Sequence, residues 1–510
     1  MEIPSLEDAL ENWATVRPDA PFVTEAETGA TITYGEARLA VMALRRSLGP
    51  EPRTVVNMLP GGILAAVLWL ATLGGGHHLV LSTPEAGDAD KATIARFYRP
   101  DVVVAEGTEA AQGFGSPSNL TILTRDALGA IVRARTDADV RDVAARETSR
   151  EGRLSLTTSG TTGTPKGVTL SARQIAWTAE QVRLSHHLTS DDRGFSSLPF
   201  SHINAPVVSL SATLLAGASV VMAARFSKSR FWSWLDRECV TWASIVPAIV
   251  AMLLQTDPPS WLPGSLRFVR TASAPLPASH LLAFEERFGV PVVETYGLSE
   301  AASQVAANPV PPGIHKPGSV GLPAGVSMRI CFPLDTGSAG ALRDVPMYSE
   351  GEICISGPSV ISSYDGGASP ESFVDGWFRT GDLGRLDADG YIHITGRLRD
   401  VINRGGEKIA PREVEETLLV HPDVQDVVVV GEPDPIFGQR AVAYVVPYRT
   451  GLPDLEARLL DHAAARLTRY KVPSAVVEVE SLPRTRTGKV QRQLVSSLSR
   501  QRQTAGSRAG

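Results

Sequence analysis

Up to about Pro309 the chain alternates short apolar runs with helix-length segments, and this alternation constrains the fold most. "TVVNML", "HHLVLS", "DVVVAE" and "LTILT" read as short buried strands, and so do "RGFSSLPF", "ASVVMAA", "WASIVP", "LRFVRTAS" and "PVVETYG". Between them lie amphipathic or apolar helical stretches. "SLEDALENWATVRPDA" opens on a Ser cap with apolar residues at helical spacing, and "SRFWSWLDREC" and "LPASHLLAFEERFG" follow later. Strands separated by helix-length crossovers pair in parallel, with helices on their faces. The rhythm therefore predicts α/β layers built on substantially parallel sheets. At 510 residues the chain has room for about three or four folding units.

The texture changes after Pro309. "GSVGLP", "GVSMRICF", "GEICISG" and "GWFRTGDLGRLDADGYIHITG" are short strands broken by Gly, Asp and Pro, the pattern of a small antiparallel unit. After Gly396 a third pattern begins. "PREVEETLLVHP" is an amphipathic helix with Pro411 at its start, "VQDVVVVGEPD" and "RAVAYVVP" are strands, and "DLEARLLDHAAARL" is a second helix. The expected fold is α/β: a large N-terminal region of two α/β layered sheets plus a small β-barrel, with a mobile C-terminal α+β domain. The boundaries are drawn at residues 1–396 and 397–500. Residues 501–510 form a polar tail expected to be disordered. No internal repeat is present.

Composition narrows the function classes. A formal net charge of -6 without a long basic run argues against nucleic acid as the main partner. The three cysteines, Cys239, Cys331 and Cys354, have no metal-ligand spacing and suit a reducing compartment. The first residues carry acids where a secretory signal has a basic and then an apolar run. The longest apolar stretch, "ILAAVLWLATL", is shorter than the ~20 residues of a membrane span and reads as a buried helix. The expected location is the cytoplasm.

Within this scaffold, "LTTSGTTGTPKGVTL" is a flexible, hydroxyl-rich loop between apolar stretches. Glycines let backbone N–H groups converge, Ser and Thr add donors, and Lys166 adds a cation, which together make a phosphate cradle. It is not the Walker pattern, because Gly167 rather than Ser or Thr follows the lysine. Taken alone, the same composition also describes a linker.

Five strings in order resemble the signatures of the adenylate-forming superfamily of acyl-CoA synthetases, aryl-CoA ligases, peptide-synthetase adenylation domains and luciferases. They are "SGTTGTPKG", "ETYGLSEAAS" with Ser299 for the usual Thr, "GWFRTGDLGRLDADGYIHITGR", "GRLRDVINRGGEKIAPREVEE" and "LPRTRTGKVQR". They cover nearly the whole chain, and the closest look is to the acyl-CoA ligases.

The resemblance implies a reaction of ATP, a carboxylic acid and CoA giving acyl-CoA, AMP and pyrophosphate through an acyl-adenylate. It also implies roles. Thr158, Ser159, Gly160, Thr161, Thr162 and Lys166 would hold the β- and γ-phosphates. Ser299 would bond the α-phosphate, and Glu300 would hold Mg²⁺ as a hard carboxylate ligand; alone it reads as an acid at a helix start. Ser273, Ala274 and Pro275, with Glu294, Thr295, Tyr296 and Gly297, would form the adenine site, although a tyrosine after a strand is also an ordinary core residue. Asp382 would accept both ribose hydroxyls, and Arg397 would reach the ribose or phosphate end. Lys489 would be the catalytic lysine that draws the carboxylate and the α-phosphate together; its plain alternative is a solvated surface lysine. Arg399 stands at the family's hinge, and Gly405 and Gly406 would line a tunnel for CoA, or simply form a tight turn. His202 would gate the acid pocket, although Ser201 precedes it where an aromatic residue is usual. Ile203, Asn204, Val246, Ala248, Thr271 and Ser303 would line that pocket, together with His202. His77 and His78 are adjacent near a strand, so their side chains alternate between faces and read as structural.

The acid is left open between aliphatic, aryl and dicarboxylic. Three rival readings remain. The acceptor could be the thiol of a free-standing carrier protein, since no carrier domain follows Lys489. The enzyme could instead activate nitrite for diazotisation of an aromatic amine. The chain could be a nucleotide-binding protein without catalysis, against which the joint presence of Lys166, Glu300, Asp382, Arg397 and Lys489 argues.

Overall fold

The computed structural model describes residues 3–114, 120–134, 150–158, 166–334, 340–485 and 488–496. The segment 501–510, expected to be a disordered tail, lies outside them.

Two layered sheets form the N-terminal body. The larger has nine strands in the order Leu322–Pro323, Ser303–Ala307, Val292–Leu298, Phe268–Thr271, Trp242–Ile245, Arg193–Ser196, Ser219–Met222, Pro21–Glu25 and Thr31–Thr33. Its six strands from Val292–Leu298 to Pro21–Glu25 run parallel, and antiparallel pairs finish both edges. The second sheet orders Thr121–Thr124, Val102–Ala105, Thr54–Asn57, His78–Leu81, Arg153–Thr158 and Lys166–Ser171, parallel except for the last pair. Every residue of Ser219–Met222, Trp242–Ile245 and Phe268–Thr271 is buried, as parallel strands covered on both faces require. The apolar helix Ile63–Gly74 contacts Pro21–Glu25 of one sheet and Thr54–Asn57 and His78–Leu81 of the other. It is hydrophobic all round because both sheets bury it. Among the described residues no helix is long and apolar enough to cross a membrane.

The antiparallel unit is centred on Trp377–Leu386, which pairs with Gly351–Ser356, Phe373–Val374 and Ile392–Arg397, while Ser327–Cys331 flanks Gly351–Ser356. The strands of the small antiparallel β unit that the sequence suggests are present, and no described pair joins Ile392–Arg397 to Ser327–Cys331. The strand Ile392–Arg397 turns to the main body instead: Val320 N donates to Ile392 O, and Ile392 N donates to Gly321 O.

Beyond Ile392–Arg397 the next strand, Ile402–Arg404, belongs to a separate five-stranded sheet with Glu407–Ile409, Gly438–Pro447, Val424–Asp434 and Ala475–Glu478. Its long hairpin alternates with period two. Val427, Val429, Ala443 and Val445 pack with Leu418 of the helix Pro411–Leu419 and Leu459 of the helix Leu455–Ala464. Val428, Val430, Val442 and Tyr444 pack on the other face with Leu482 and Val495.

Candidate active site

A cavity of about 570 Å³ opens where the parallel strands of the large sheet end. Open α/β sheets bind ligands at the carboxyl ends of their strands. Ser273, Ala274 and Pro275 follow Phe268–Thr271, and Glu294, Thr295, Tyr296 and Gly297 lie on Val292–Leu298; all seven line the cavity. The antiparallel sheet contributes Asp382 and Arg397, and the C-terminal unit contributes Arg412, Lys489 and Arg492.

Asp382 is fixed from two sides. It stands opposite Arg397 in the strand register, and Arg397 Nε lies 2.7 Å from its Oδ1. Tyr296 donates its hydroxyl to Oδ2 at 2.6 Å. Burial, and then the Asp382 charge, push the Tyr296 phenol well above its usual range, so it stays a neutral donor. Asp382 in turn holds Arg397 more firmly protonated, outweighing burial. Each carboxylate oxygen keeps a second lone pair for a ligand hydroxyl.

Lys489 enters this cavity on a tight turn. Gly488, at φ +80°, donates its N–H to Thr485 O at 2.9 Å, and Lys489 N donates to Thr485 Oγ1 at 3.2 Å. Burial, followed by the Arg397 and Arg399 charges, lowers the ammonium to about 8, with Asp382 and Asp400 opposing. Glu294 is also buried. Its Oε1 accepts from Leu276 N at 3.3 Å, while Oε2 has no partner. Burial raises its carboxyl to about 7, with Arg412 opposing. An unpartnered oxygen on a cavity wall suits a ligand's polar edge.

On the phosphate side, Thr158 and Lys166 face each other across the antiparallel pair that closes the glycine-rich loop. Ser159, Gly160, Thr161 and Thr162 lie outside the described residues. The Lys166 ammonium sits 4.9 Å from the ring centre of Tyr364, whose hydroxyl donates to Glu300 Oε1 at 2.8 Å. Ser299 and Glu300 share the short turn Ser299–Ala301. Tyr364, a neighbour of both Lys166 and Glu300, is not signalled by the sequence; "SSYDGG" reads as a turn. Below the loop, His78 Nε2 contacts Ser155 Oγ at 2.7 Å, and Thr169 and Tyr98 donate to Asp365 Oδ2 at 3.0 and 3.1 Å. His77 instead accepts from Arg53 N at 3.2 Å. The two histidines thus have separate structural partners, and no described cluster of His, Cys, Asp or Glu could hold a metal by itself.

The acid-pocket residues divide. Ala248 lines the cavity and Val246 is buried beside it. Asn204 donates to Ser273 Oγ at 3.3 Å, Ile203 is buried next to it, and Thr271 O accepts from Thr295 Oγ1 at 3.0 Å. Ser303 is buried opposite Leu298 in the strand register. His202 is exposed and does not line the cavity. Gly405 and Gly406 are also outside it; Gly405 donates to Phe437 O at 2.8 Å in an exposed turn. Arg399 lies between the two bodies in the turn Leu398–Asp400, 3.6 Å from Asp400.

Residues 10–365 match the AMP-binding enzyme family, and residues 413–489 match the AMP-binding enzyme C-terminal domain. The chain belongs to the adenylate-forming acyl-CoA ligase superfamily. Sulfoacetate–CoA ligase of Cupriavidus necator is 37% identical over 509 residues, covering 96% of this chain and 97% of that protein. Oxalate–CoA ligase of Arabidopsis thaliana is 38% identical over 523 residues, covering 97% and 99%. The ATP-bound structure of MatB from Rhodopseudomonas palustris is 27% identical with a TM-score of 0.85, covering 97% of this chain and 99% of that one. As in other members of the superfamily, a large N-terminal domain is followed by a small C-terminal one.

Proposed function

We propose that this protein is an acid–CoA ligase that adenylates a carboxylic acid and passes the acyl group to the thiol of CoA. The observation that carries the reading is the convergence of Lys489 with Tyr296, Asp382 and Arg397 in one cavity. A carboxylate is a poor acyl donor because its leaving group is oxide. Its oxygen attacks the α-phosphate, the α–β bridge bond breaks, and pyrophosphate leaves with the electron pair. The acyl-AMP that remains has AMP as its leaving group. Attack by the thiol then forms the thioester and frees AMP and a proton.

The first step brings two anions together. Lys489 offsets that repulsion and holds them in line. Asp382 and Tyr296 fix the nucleoside end, and Lys166 with the loop hydroxyls holds the departing phosphates. Mg²⁺ fits Glu300, because magnesium is commonly held by one or two carboxylates plus substrate phosphates, and there it would neutralise phosphate charge. The second step requires the C-terminal unit to turn about Arg399, withdrawing Lys489 and bringing Gly405 and Gly406 to the acyl-adenylate.

Relatives of nearly full coverage are named for sulfoacetate and oxalate, and others for indoleacetate and ferulate, which supports CoA as acceptor over a carrier protein. Product mass and pyrophosphate release over a panel of acids, with and without CoA, test the proposal. Acyl-CoA and AMP are expected, and Lys489→Met should lower acid-dependent pyrophosphate release by about 100-fold or more. Pyrophosphate released with nitrite and an aminoaryl acid but with no carboxylic acid alone would replace this reading with nitrite activation.

A further inference from the structure

One fully buried cation beside the site has no counter-ion among the described residues. Arg270 lies on Phe268–Thr271, the strand that leads into Ser273, and is 1% exposed. It is in register with Ser244 on the neighbouring parallel strand, so both side chains project from the same face of the sheet. Nη1 donates to Asn204 Oδ1 at 2.9 Å and to Ser244 Oγ at 3.2 Å, while Nε has no acceptor. Burial alone lowers its proton affinity, to about 9, and no acid offsets that cost. The two other buried arginines among the described residues, 8–9% exposed, both have carboxylates: Arg45 pairs with Glu7, and Arg412 with Glu416 at 2.8 Å. The remaining neighbour that titrates, His186, is buried with its ring edge-on to Trp242 and Phe268 and is held neutral by burial and then by Arg270.

An unpaired buried charge is strongly unfavourable, so a guanidinium in this setting calls for an anion from outside the fold. Its position says which molecule brings that anion. Asn204 accepts from Arg270 with Oδ1 and donates from Nδ2 to Ser273, a wall of the nucleotide cavity. A single asparagine therefore separates the guanidinium from the place where the acid is activated. With Nη1 spent on Asn204 and Ser244, the edge formed by Nε and Nη2 is the fork that grips a carboxylate or sulfonate through two parallel hydrogen bonds.

We propose that Arg270 seats a second negative charge on the acid, so that the preferred substrate is a short dianion of a few carbons. Its carboxylate meets Lys489 and its far acid group, carboxylate or sulfonate, meets Arg270. This rests on the ligase reading above and narrows its substrate class.

The test compares oxalate, malonate, succinate and sulfoacetate with acetate, propionate, butyrate and monomethyl malonate. The last keeps the shape of the diacid and removes one charge. Acid-dependent pyrophosphate release is read for the full-length protein and for Arg270→Met and Arg270→Lys. At least one dianion is expected to exceed its uncharged-end analogue in kcat/KM by about 100-fold, and Arg270→Met should collapse that ratio by a similar factor. Arg270→Lys should recover part of it, because the charge returns without the fork. Should Arg270→Met fail to fold, the wild-type melting temperature decides: malonate must raise it more than monomethyl malonate does. Choice between the dicarboxylates and sulfoacetate identifies the far group. Acyl-CoA formed equally well from monoanions, or an equal loss for both classes in Arg270→Met, overturns the inference and leaves the ligase reading standing. No pyrophosphate from any acid overturns the ligase reading, and this inference with it.

Discussion

In the proposed reaction Lys489 has to be charged to draw a carboxylate and a phosphate together, yet burial and the neighbouring Arg397 and Arg399 pull its ammonium down to about 8. Below that pH the free enzyme carries the cation; above it the neutral amine accumulates and the two anions lose their bridge. The expected consequence is a kcat/KM for adenylation that falls about tenfold per pH unit above about 8. Bound ATP favours the charged form, so the corresponding limb in kcat should lie at higher pH. Lys489→Arg, charged throughout, should have lower activity but no limb near 8, and a limb unchanged in that variant would place the titration elsewhere. The place of Lys489 in the cavity was legible because it stands in a short string whose order along the chain matched a known pattern. Asp382, Tyr296 and Arg397 were legible for the same reason, and the cavity joins all four. Tyr364 was not: its contact with Glu300 spans a separation of 64 residues, and nothing local in "SSYDGG" signals it. Arg270 left a signal that went unread, since a charge inside "LRFVRTAS" cannot reach water if that run is a central parallel strand. His202 was assigned to the gate by position in a motif, and in this arrangement its side chain is exposed outside the cavity.

At the scale of elements, period and punctuation predicted many of the strands and half of the described α-helices, because each of those signals is local; Tyr34–Leu48 and Ala172–Ser185 were not named. Pairing between distant strands is not local, and so the tie of Ile392 to Val320 and Gly321 left no mark in the sequence. The turn that carries Lys489 shows how one element sets a step. A side-chain carbon on Gly488 would come within 2.8 Å of the Ala248 Cβ, on the helix Pro247–Leu254 of the other body. It would also occupy φ +80°, where side chains other than hydrogen cost about 1–2 kcal/mol. Gly488→Ala should therefore weaken the arrangement with Lys489 inside, slowing adenylation by about tenfold or more. Thioester formation from supplied acyl-AMP does not use that arrangement and should keep its rate. Single-turnover measurement of both half-reactions separates the two effects, and equal slowing of both would show that the glycine serves the fold rather than the docking.

Across the whole molecule, the apolar cores stop where the domains meet. The large core runs from Leu6 to Ile392, and the cores of the C-terminal unit contain only residues from Ile402 onward. Hydrophobic burial is the main source of folding cooperativity, so the two bodies lack a shared core that would make them melt as one. Around the cavity both bodies contribute polar and apolar groups, Arg412 and Lys489 from the C-terminal unit and Asp382 and Ala248 from the other among them. This division suits the proposed rotation of the small domain, since a common apolar core would hold it in place. Calorimetry should accordingly resolve two transitions. Leu459 is fully buried between the helix Leu455–Ala464 and the C-terminal sheet, and Leu459→Ala should cost about 2–5 kcal/mol there. For a unit of this size that amounts to roughly 10 °C or more in the C-terminal transition. The N-terminal transition should stay within about 2 °C of wild type, because no atom of its core has changed. Between the two midpoints, ATP should still stabilise the N-terminal body while acid-dependent pyrophosphate release has already ceased with the loss of Lys489 from the cavity. A single transition displaced as a whole by Leu459→Ala would mean that the contacts around the cavity couple the bodies as strongly as a core does, and that the proposed rotation must break them at a corresponding cost.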